Sequence, residues 1–496
     1  MKIKKILSVM IILSMTIFIV GCGGDEDANS FPTEPIEIVS MGITDSLNSF
    51  KEETKDSVMN LNSYIGLSQD ELDKPHVQIN LDLETEDGTA TLYYKSMQND
   101  AKDKASLTLG VIADGQEAQT SVNFTGNDMI MSFFTVEEPM VKYTGVDSSL
   151  KSLSPMDRYV KALELGDSKM FSDSWSDDVS KLQTNMNTNL TSDSVILSKE
   201  TIKYHDVDVE ADLYSVEIDE SYGGTLLADL FKALSNNEDV YSYLTAMENS
   251  DGLLTLKSLE NVVNDENKLS QTTVTANVYL QEETFLACNL SFDTPDGKFI
   301  MENNYYTKDI DRHVISKVVF PSGVTLNNTH TVYASDTGRQ DNLNFEMTVK
   351  GSDEPLKIVS ENKITENGDN YSKEFKITYS GVAEGDGIVS SLGESKGKYE
   401  AVTSGDNANG TFSGTYTSKD PEEGVQNTDY SGTTVLSSTA PEITLPEFIE
   451  GSGVEFSNVD KLKAYLNQDG DSPTKGVDNL YEQQATALMW MLRFNL

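Results

Sequence analysis

Apolar residues along this chain fall in two rhythms. Between Met41 and Ile65 they stand at Ile43, Leu47, Phe50, Val58, Leu61 and Ile65. The steps are three, four or sums of them, which places these side chains on one face of a long amphipathic helix. From Val77 the period drops to two. Val77, Ile79, Leu81 and Leu83 alternate with Gln78, Asn80, Asp82 and Glu84, the pattern of a strand with one buried and one wet face. Further runs hold Ala90, Leu92 and Tyr94; Ala105, Leu107, Leu109 and Val111; Val122 and Phe124; Met129, Met131 and Phe133; and Val141 and Tyr143. Turn signals such as Asp114-Gly115 and Gly126-Asn127-Asp128 separate them, so the spacing predicts a meander of about six strands.

Helical patches follow at Met156, Tyr159, Val160 and Leu163, over Asp173 to Leu190, over Leu226 to Leu234 and over Leu253 to Val263. Two strands are expected among them, near Val195–Tyr204 and Val207–Ile218. From Ser270 to Thr417 the period is two again. One row is Val274, Ala276, Val278 and Leu280, and another is Leu343, Phe345, Met347 and Val349. A third is Tyr371, Phe375, Ile377 and Tyr379, with Lys373 inside it. Pro295-Asp296-Gly297, Ser322-Gly323, Glu366-Asn367-Gly368-Asp369 and Asn409-Gly410 read as turns, giving about nine strands. A sheet of that size must cover its apolar face.

The pattern sums to an α+β fold, with large curved antiparallel meander sheets packed on amphipathic helices. The expected organisation is a helix plus meander over 39–220, helices plus a long meander over 221–417, an irregular linker over 418–452 and C-terminal helices over 453–496. The last helical patch, Tyr481 to Phe494, carries Leu488, Met489 and Trp490. No residue-level repeat at a fixed period is present.

The first residues change the picture. Lys2, Lys4 and Lys5 precede an apolar run from Ile6 to Val20 that ends in Gly21-Cys22-Gly23-Gly24, the layout of an export signal. The run is shorter than the ~20 residues that span a bilayer. Its end, Ile19-Val20-Gly21-Cys22, resembles the lipobox of bacterial lipoproteins. That resemblance implies a signal peptide over 1–21, cleavage between Gly21 and Cys22, and acyl chains such as palmitate on Cys22. It also implies a flexible tether over 22–38 and a lipid-anchored position on the extracytoplasmic face of the cell membrane. Two acyl chains anchor stably where one exchanges.

Charge removes one class of partner. The chain has 81 acidic and 37 basic residues and a formal net charge of −44, so it lacks the basic surface that nucleic acid binding needs. Only two cysteines occur. Cys288 lies in the apolar row Leu286, Leu290, Phe292 and reads as a buried structural thiol. No nucleophile elbow, phosphate-binding loop, dinucleotide fingerprint or zinc motif is found, so no catalytic residue, metal or cofactor is expected. His76, His205, His313 and His330 are scattered, and His330 reads as a hydrogen-bonded strand residue beside Asn328 and Val332.

Tethering, strand count and interspersed helices together resemble the LolA/LolB and LppX-type carriers. The resemblance implies a non-enzymatic lipoprotein that binds an apolar or amphipathic ligand between sheet and helices. Its partners would be the membrane, through Cys22, and a lipid. Met129, Met131, Phe133, Leu488, Met489 and Trp490 are the candidate cavity walls. The alternative is a structural or protein-interaction lipoprotein of the cell envelope, without a cavity and with an envelope protein as partner.

Overall fold

The period-two rows form strands almost everywhere they occur. The computed structural model describes residues 31–55, 67, 69–72 and 74–466. The last stretch has breaks at 86–87, 114–115, 133–139, 156–157, 160–161, 163–173, 205–206, 246–254, 309–310, 336–337, 350–354, 385–386, 421–423, 447 and 449–452. A first meander comprises β1 (His76–Thr85), β2 (Gly88–Gln98), β3 (Lys104–Ala113), β4 (Gln116–Thr125), β5 (Asp128–Ser132) and β6 (Val141–Thr144). A second begins with β7 (Val195–Tyr204), β8 (Val207–Ile218), β9 (Thr273–Gln281), β10 (Thr284–Thr294), β11 (Gly297–Lys308) and β12 (Asp311–Val319). It continues through β13 (Thr325–Ser335), β14 (Gly338–Thr348), β15 (Leu356–Asn367), β16 (Asn370–Glu384), β17 (Gly387–Ser404), β18 (Asn407–Asp420) and β19 (Gly424–Ser437). A short β20 (Val454–Phe456) lies parallel to β6.

One pairing joins the two meanders. β1 is hydrogen-bonded antiparallel to β2 on one side and to β19 on the other, with Leu81 opposite Gly432 and Asp82 opposite Ser431. The result is a single sheet of 20 strands among the described residues. Read across, it runs from β20 and β6 through β1 and then from β19 back to β7.

The helices are α1 (Pro35–Lys55), α2 (Gln69–Leu72), α3 (Trp175–Asn189), α4 (Glu220–Asn236), α5 (Glu238–Thr245), α6 (Leu256–Val263), α7 (Glu266–Leu269) and α8 (Val459–Leu466). They enter as insertions between β6 and β7 and between β8 and β9, or stand near the ends of the described chain. This corrects the α+β class. A single sheet carries the fold and the helices are few, so the protein is mainly β. The amphipathic pattern of short helices is as conspicuous in a sequence as that of strands, but here their share of the structure is small.

The apolar face of the sheet buries two clusters. In the first, Ile43, Leu47 and Phe50 of α1, Leu226, Leu227 and Leu230 of α4, and Leu259 of α6 gather over the strands. They pack with Val274, Ala276 and Val278 of β9 and with Phe292, Phe299 and Phe345. In the second, Val77, Ile79, Leu81, Leu92, Leu107 and Phe124 pack with Tyr399, Phe412 and Tyr430 from far along the chain. Burying a large apolar side chain contributes roughly 1.5–3 kcal/mol.

Three boundaries differ from the sequence reading. The first helix starts earlier, at Pro35, and residues 56–65 lie outside the described part. So do Met156, Val160 and Leu163 of the patch expected after β6. The irregular linker over 418–452 is corrected, because β19 occupies Gly424–Ser437 and pairs with both β18 and β1. Its inward positions are Tyr430, Gly432, Thr434 and Leu436, and the glycine and threonine dilute the apolar alternation. Asn409-Gly410 is not a turn but lies inside β18. A Cβ on Gly410 would meet the Tyr399 ring, so the glycine makes room for an aromatic side chain within the strand.

Candidate functional site

Strands β1, β17, β18 and β19 carry a groove on the face opposite the two clusters. It has a volume of about 350 Å³ and is lined by Asp82 of β1, Lys398 and Glu400 of β17, Thr411, Phe412 and Ser413 of β18, and Ser431, Gly432 and Thr433 of β19. Strand register explains how residues so far apart in sequence meet. One cross-strand row is Asp82, Ser431, Ser413, Lys398, and the next is Asn80, Thr433, Thr411, Glu400. Neighbouring strands lie roughly 4.8 Å apart and alternate residues roughly 6.6 Å apart, so the rows form a regular polar grid.

The grid is partly fixed. Thr91 Oγ1 donates to Asp82 Oδ1 at 2.6 Å, and Asn80 Nδ2 donates to Thr433 Oγ1 at 3.1 Å. Lys398 Nζ stands 2.6 Å from Glu400 Oε1, and this contact raises the ammonium pKa. Thr411, Ser413 and Ser431 are exposed. Their hydroxyls can each donate and accept, whereas the carboxylates accept only.

The opposite face holds a second polar cluster, buried where the apolar clusters give way on β12–β16. Glu53 at the end of α1 is 2% exposed and forms an ion pair with Arg312 of β12. Its Oε2 lies 3.2 Å from His330 Nδ1, and His330 Nε2 lies 3.1 Å from Asp341 Oδ1. Burial works to raise the Asp341 pKa, but the hydrogen bond from His330 and the charges of His330, Arg339 and Lys373 outweigh it and hold the group low. Asn362 Nδ2 donates to the Asp341 carbonyl oxygen at 3.3 Å and to Ser360 Oγ at 3.1 Å.

Lys373, on β16, is 3% exposed. Burial pushes its ammonium down to about 8, against the opposing pull of Glu71 and Asp341. The folded protein therefore releases this proton near pH 8, whereas the unfolded chain keeps it to about 10.4. The lysine's burden on stability is full below pH 8 and fades as pH rises through that window. In matched denaturation series, wild type should gain up to about 3 kcal/mol over Lys373→Met between pH 8 and about 10.4. Parallel pH profiles for the two proteins would exclude a depressed lysine.

The residues expected from the sequence are placed differently. Met129 and Met131 are 0% and 1% exposed and pack within the second apolar cluster. Phe133, Leu488, Met489, Trp490, Gly21 and Cys22 lie outside the described residues, as does His205. Cys288 is buried as expected, and burial pushes its thiol up to about 12. No group of histidine, cysteine or acidic side chains among the described residues could hold a metal ion. No helix among them is long and apolar enough to cross a membrane. The sequence does not single out the groove residues. Their only local signal is serine and threonine at period two over 411–417 and 431–433.

No protein-family model matches the chain, and no curated protein does. Among solved structures, it is similar to OccK3 (OpdO) of Pseudomonas aeruginosa, at 7% identity and a TM-score of 0.24, covering 73% of this chain and 94% of that one. A BenF-like porin from Pseudomonas fluorescens Pf-5 gives 6% identity and a TM-score of 0.24, covering 73% and 97%. OmpT, an outer membrane protein of Vibrio cholerae in a loop-deleted form, gives 9% identity and a TM-score of 0.18, covering 72% and 96%. These are porins and outer membrane proteins, not lipoproteins or lipid carriers. The lipobox and carrier resemblances find no counterpart among them, and the lipid-anchored position, the Cys22-tethered membrane, lipid and envelope-protein partners, and both lipoprotein functions are set aside. The packed surroundings of Met129 and Met131 agree with the loss of the apolar-carrier reading. TM-scores of 0.24 and lower are too small for a shared fold, so neither a channel nor a place in a membrane is assigned to this chain from them.

Proposed function

We propose that this is a non-catalytic binding protein whose groove on β1, β17, β18 and β19 takes an uncharged, hydroxyl-rich ligand of the saccharide class. The observation that carries the reading is the lining: two carboxylates, one ammonium and four hydroxyls around about 350 Å³. That volume lies at the small end of ligand sites. An anionic ligand would face Asp82 and Glu400 with a single lysine, itself paired with Glu400. A neutral polyol matches the lining better, because its hydroxyls donate to the carboxylates and exchange hydrogen bonds with Thr411, Ser413, Ser431 and Thr433. The groove lining contains no histidine or cysteine, and its acids are engaged by Thr91 and Lys398.

The test is calorimetric titration of purified protein with a panel of neutral oligosaccharides, beside the variant Ser431→Trp. Ser431 is exposed on β19, and tryptophan suits a strand surface, so the variant should keep its unfolding temperature. Binding should weaken at least about 10-fold, or about 1.4 kcal/mol. Equal affinity in both proteins, or no binding across the panel, would exclude the groove as a saccharide site.

A further inference from the structure

Tyr93 stands on β2 directly opposite Asn80 of β1, so it shares the outer face and one polar row of the groove. Its register partner on β3 is Gly110, which in turn faces Gln119 of β4. Strand side chains usually stand up from the sheet. Here a Cβ on Gly110 would collide with the Tyr93 ring, so the ring reaches across the glycine and lies along the sheet. The tyrosine hydroxyl donates to Glu117 Oε1 at 2.6 Å, with Gln119 Oε1 3.0 Å away, and this pins the far end of the side chain on β4. Burial and the bond to Glu117 raise the phenol pKa, so the donor keeps its proton. Tyr93 is nonetheless only half-buried. Beside it on the same face is Ile112, 41% exposed, whose register partner Thr91 donates to Asp82 in the groove lining. The hydrogen-bonding groove therefore continues into a surface of ring and alkyl carbons about 10 Å from β19.

We propose that Tyr93 is the stacking platform of a second subsite, on which one sugar ring of a linear neutral oligosaccharide rests while its neighbours occupy the groove. The inference rests on the saccharide reading of the groove and narrows the ligand to a chain that reaches from β19 across β1 to β2 and β3. One face of a pyranose ring is made largely of C–H groups, and the negative face of an aromatic ring attracts them. A tyrosine has two side-chain torsions, and this one is already held at its hydroxyl, so it loses little freedom on binding. The contact needs no charge, in keeping with a neutral ligand.

The experiment is calorimetric titration of the full chain with two linear glucose series, cello- and malto-oligosaccharides, each from disaccharide to hexasaccharide. It compares wild type, Tyr93→Ala and Tyr93→Phe. In wild type, affinity should rise about 3- to 10-fold once the chain is long enough to reach β2. Tyr93→Ala should lose that rise and keep the affinity of the shorter sugars, whereas Tyr93→Phe retains the ring and should keep most of it. A tyrosine that only covers Gly110 would leave the dependence on length untouched in both variants. Parallel length series in wild type and Tyr93→Ala therefore overturn the platform and leave the groove standing. Binding of neither series at any length removes groove and platform together. Should Tyr93→Ala fail to fold, the other two proteins decide the matter, since no gain with length in wild type and Tyr93→Phe overturns the platform.

Discussion

Glu53→Ala should lower the free energy of unfolding by about 3–5 kcal/mol. The carboxylate is 2% exposed and meets both Arg312 and His330. Truncation leaves the arginine and the histidine without their shared acceptor. It also detaches the end of α1 from β12 and β13. Glu53→Gln keeps an acceptor for His330 but not the charge for Arg312, so its loss should be intermediate. Trp175 reports on the helix directly, because its Nε1 donates to Asn48 Oδ1 of α1 at 2.8 Å. Urea denaturation followed by tryptophan fluorescence reads both effects. A loss under about 1 kcal/mol for Glu53→Ala would mean that the contact is of the weak, solvent-screened kind.

Gly432→Ala is the second large effect. Its Cβ would press on the Asn80 carbonyl oxygen and on the Phe412 ring, both closer than real Cβ contacts come. The first contact is backbone of β1, so relief requires the β1–β19 pair to part. Overpacking of this kind costs about 1–3 kcal/mol, and here it falls on the seam that joins the two meanders. Gly405→Ala is the matched comparison. Its φ of +62° strains an alanine, but nothing lies within 4 Å, so about 1 kcal/mol is expected. Denaturation midpoints rank the two, and a larger loss for Gly405→Ala would show that the seam tolerates the added methyl.

Much of the sheet is legible in the sequence because burial follows alternation. Val77, Ile79 and Leu81 are buried as their period predicts, and so are Leu343, Phe345 and Met347. Lys373 is visible as a charge inside an apolar row, and His330 as a polar residue in another. What they touch is not visible. Glu53 and His330 are 277 positions apart, and Asn80 and Thr433 are 353 apart. No local pattern encodes pairings of that range. The strand β19 escapes a sequence reading for a different reason. Where aromatic rings lie over glycines, inward positions carry no apolar side chain, and the alternation that marks a strand fades. The groove depends on that same stretch, so it is hidden with it.

Hydrogen exchange of wild type with and without the tightest-binding neutral oligosaccharide tests the saccharide site most directly. Added ligand should slow exchange across residues 80–82, 396–400, 411–413 and 431–433, where β1, β17, β18 and β19 bring the polar rows together. Exchange around Glu53, His330 and Lys373 on the other face should stay unchanged. Protection confined to other strands, or none at saturating ligand, would contradict a saccharide site in this groove.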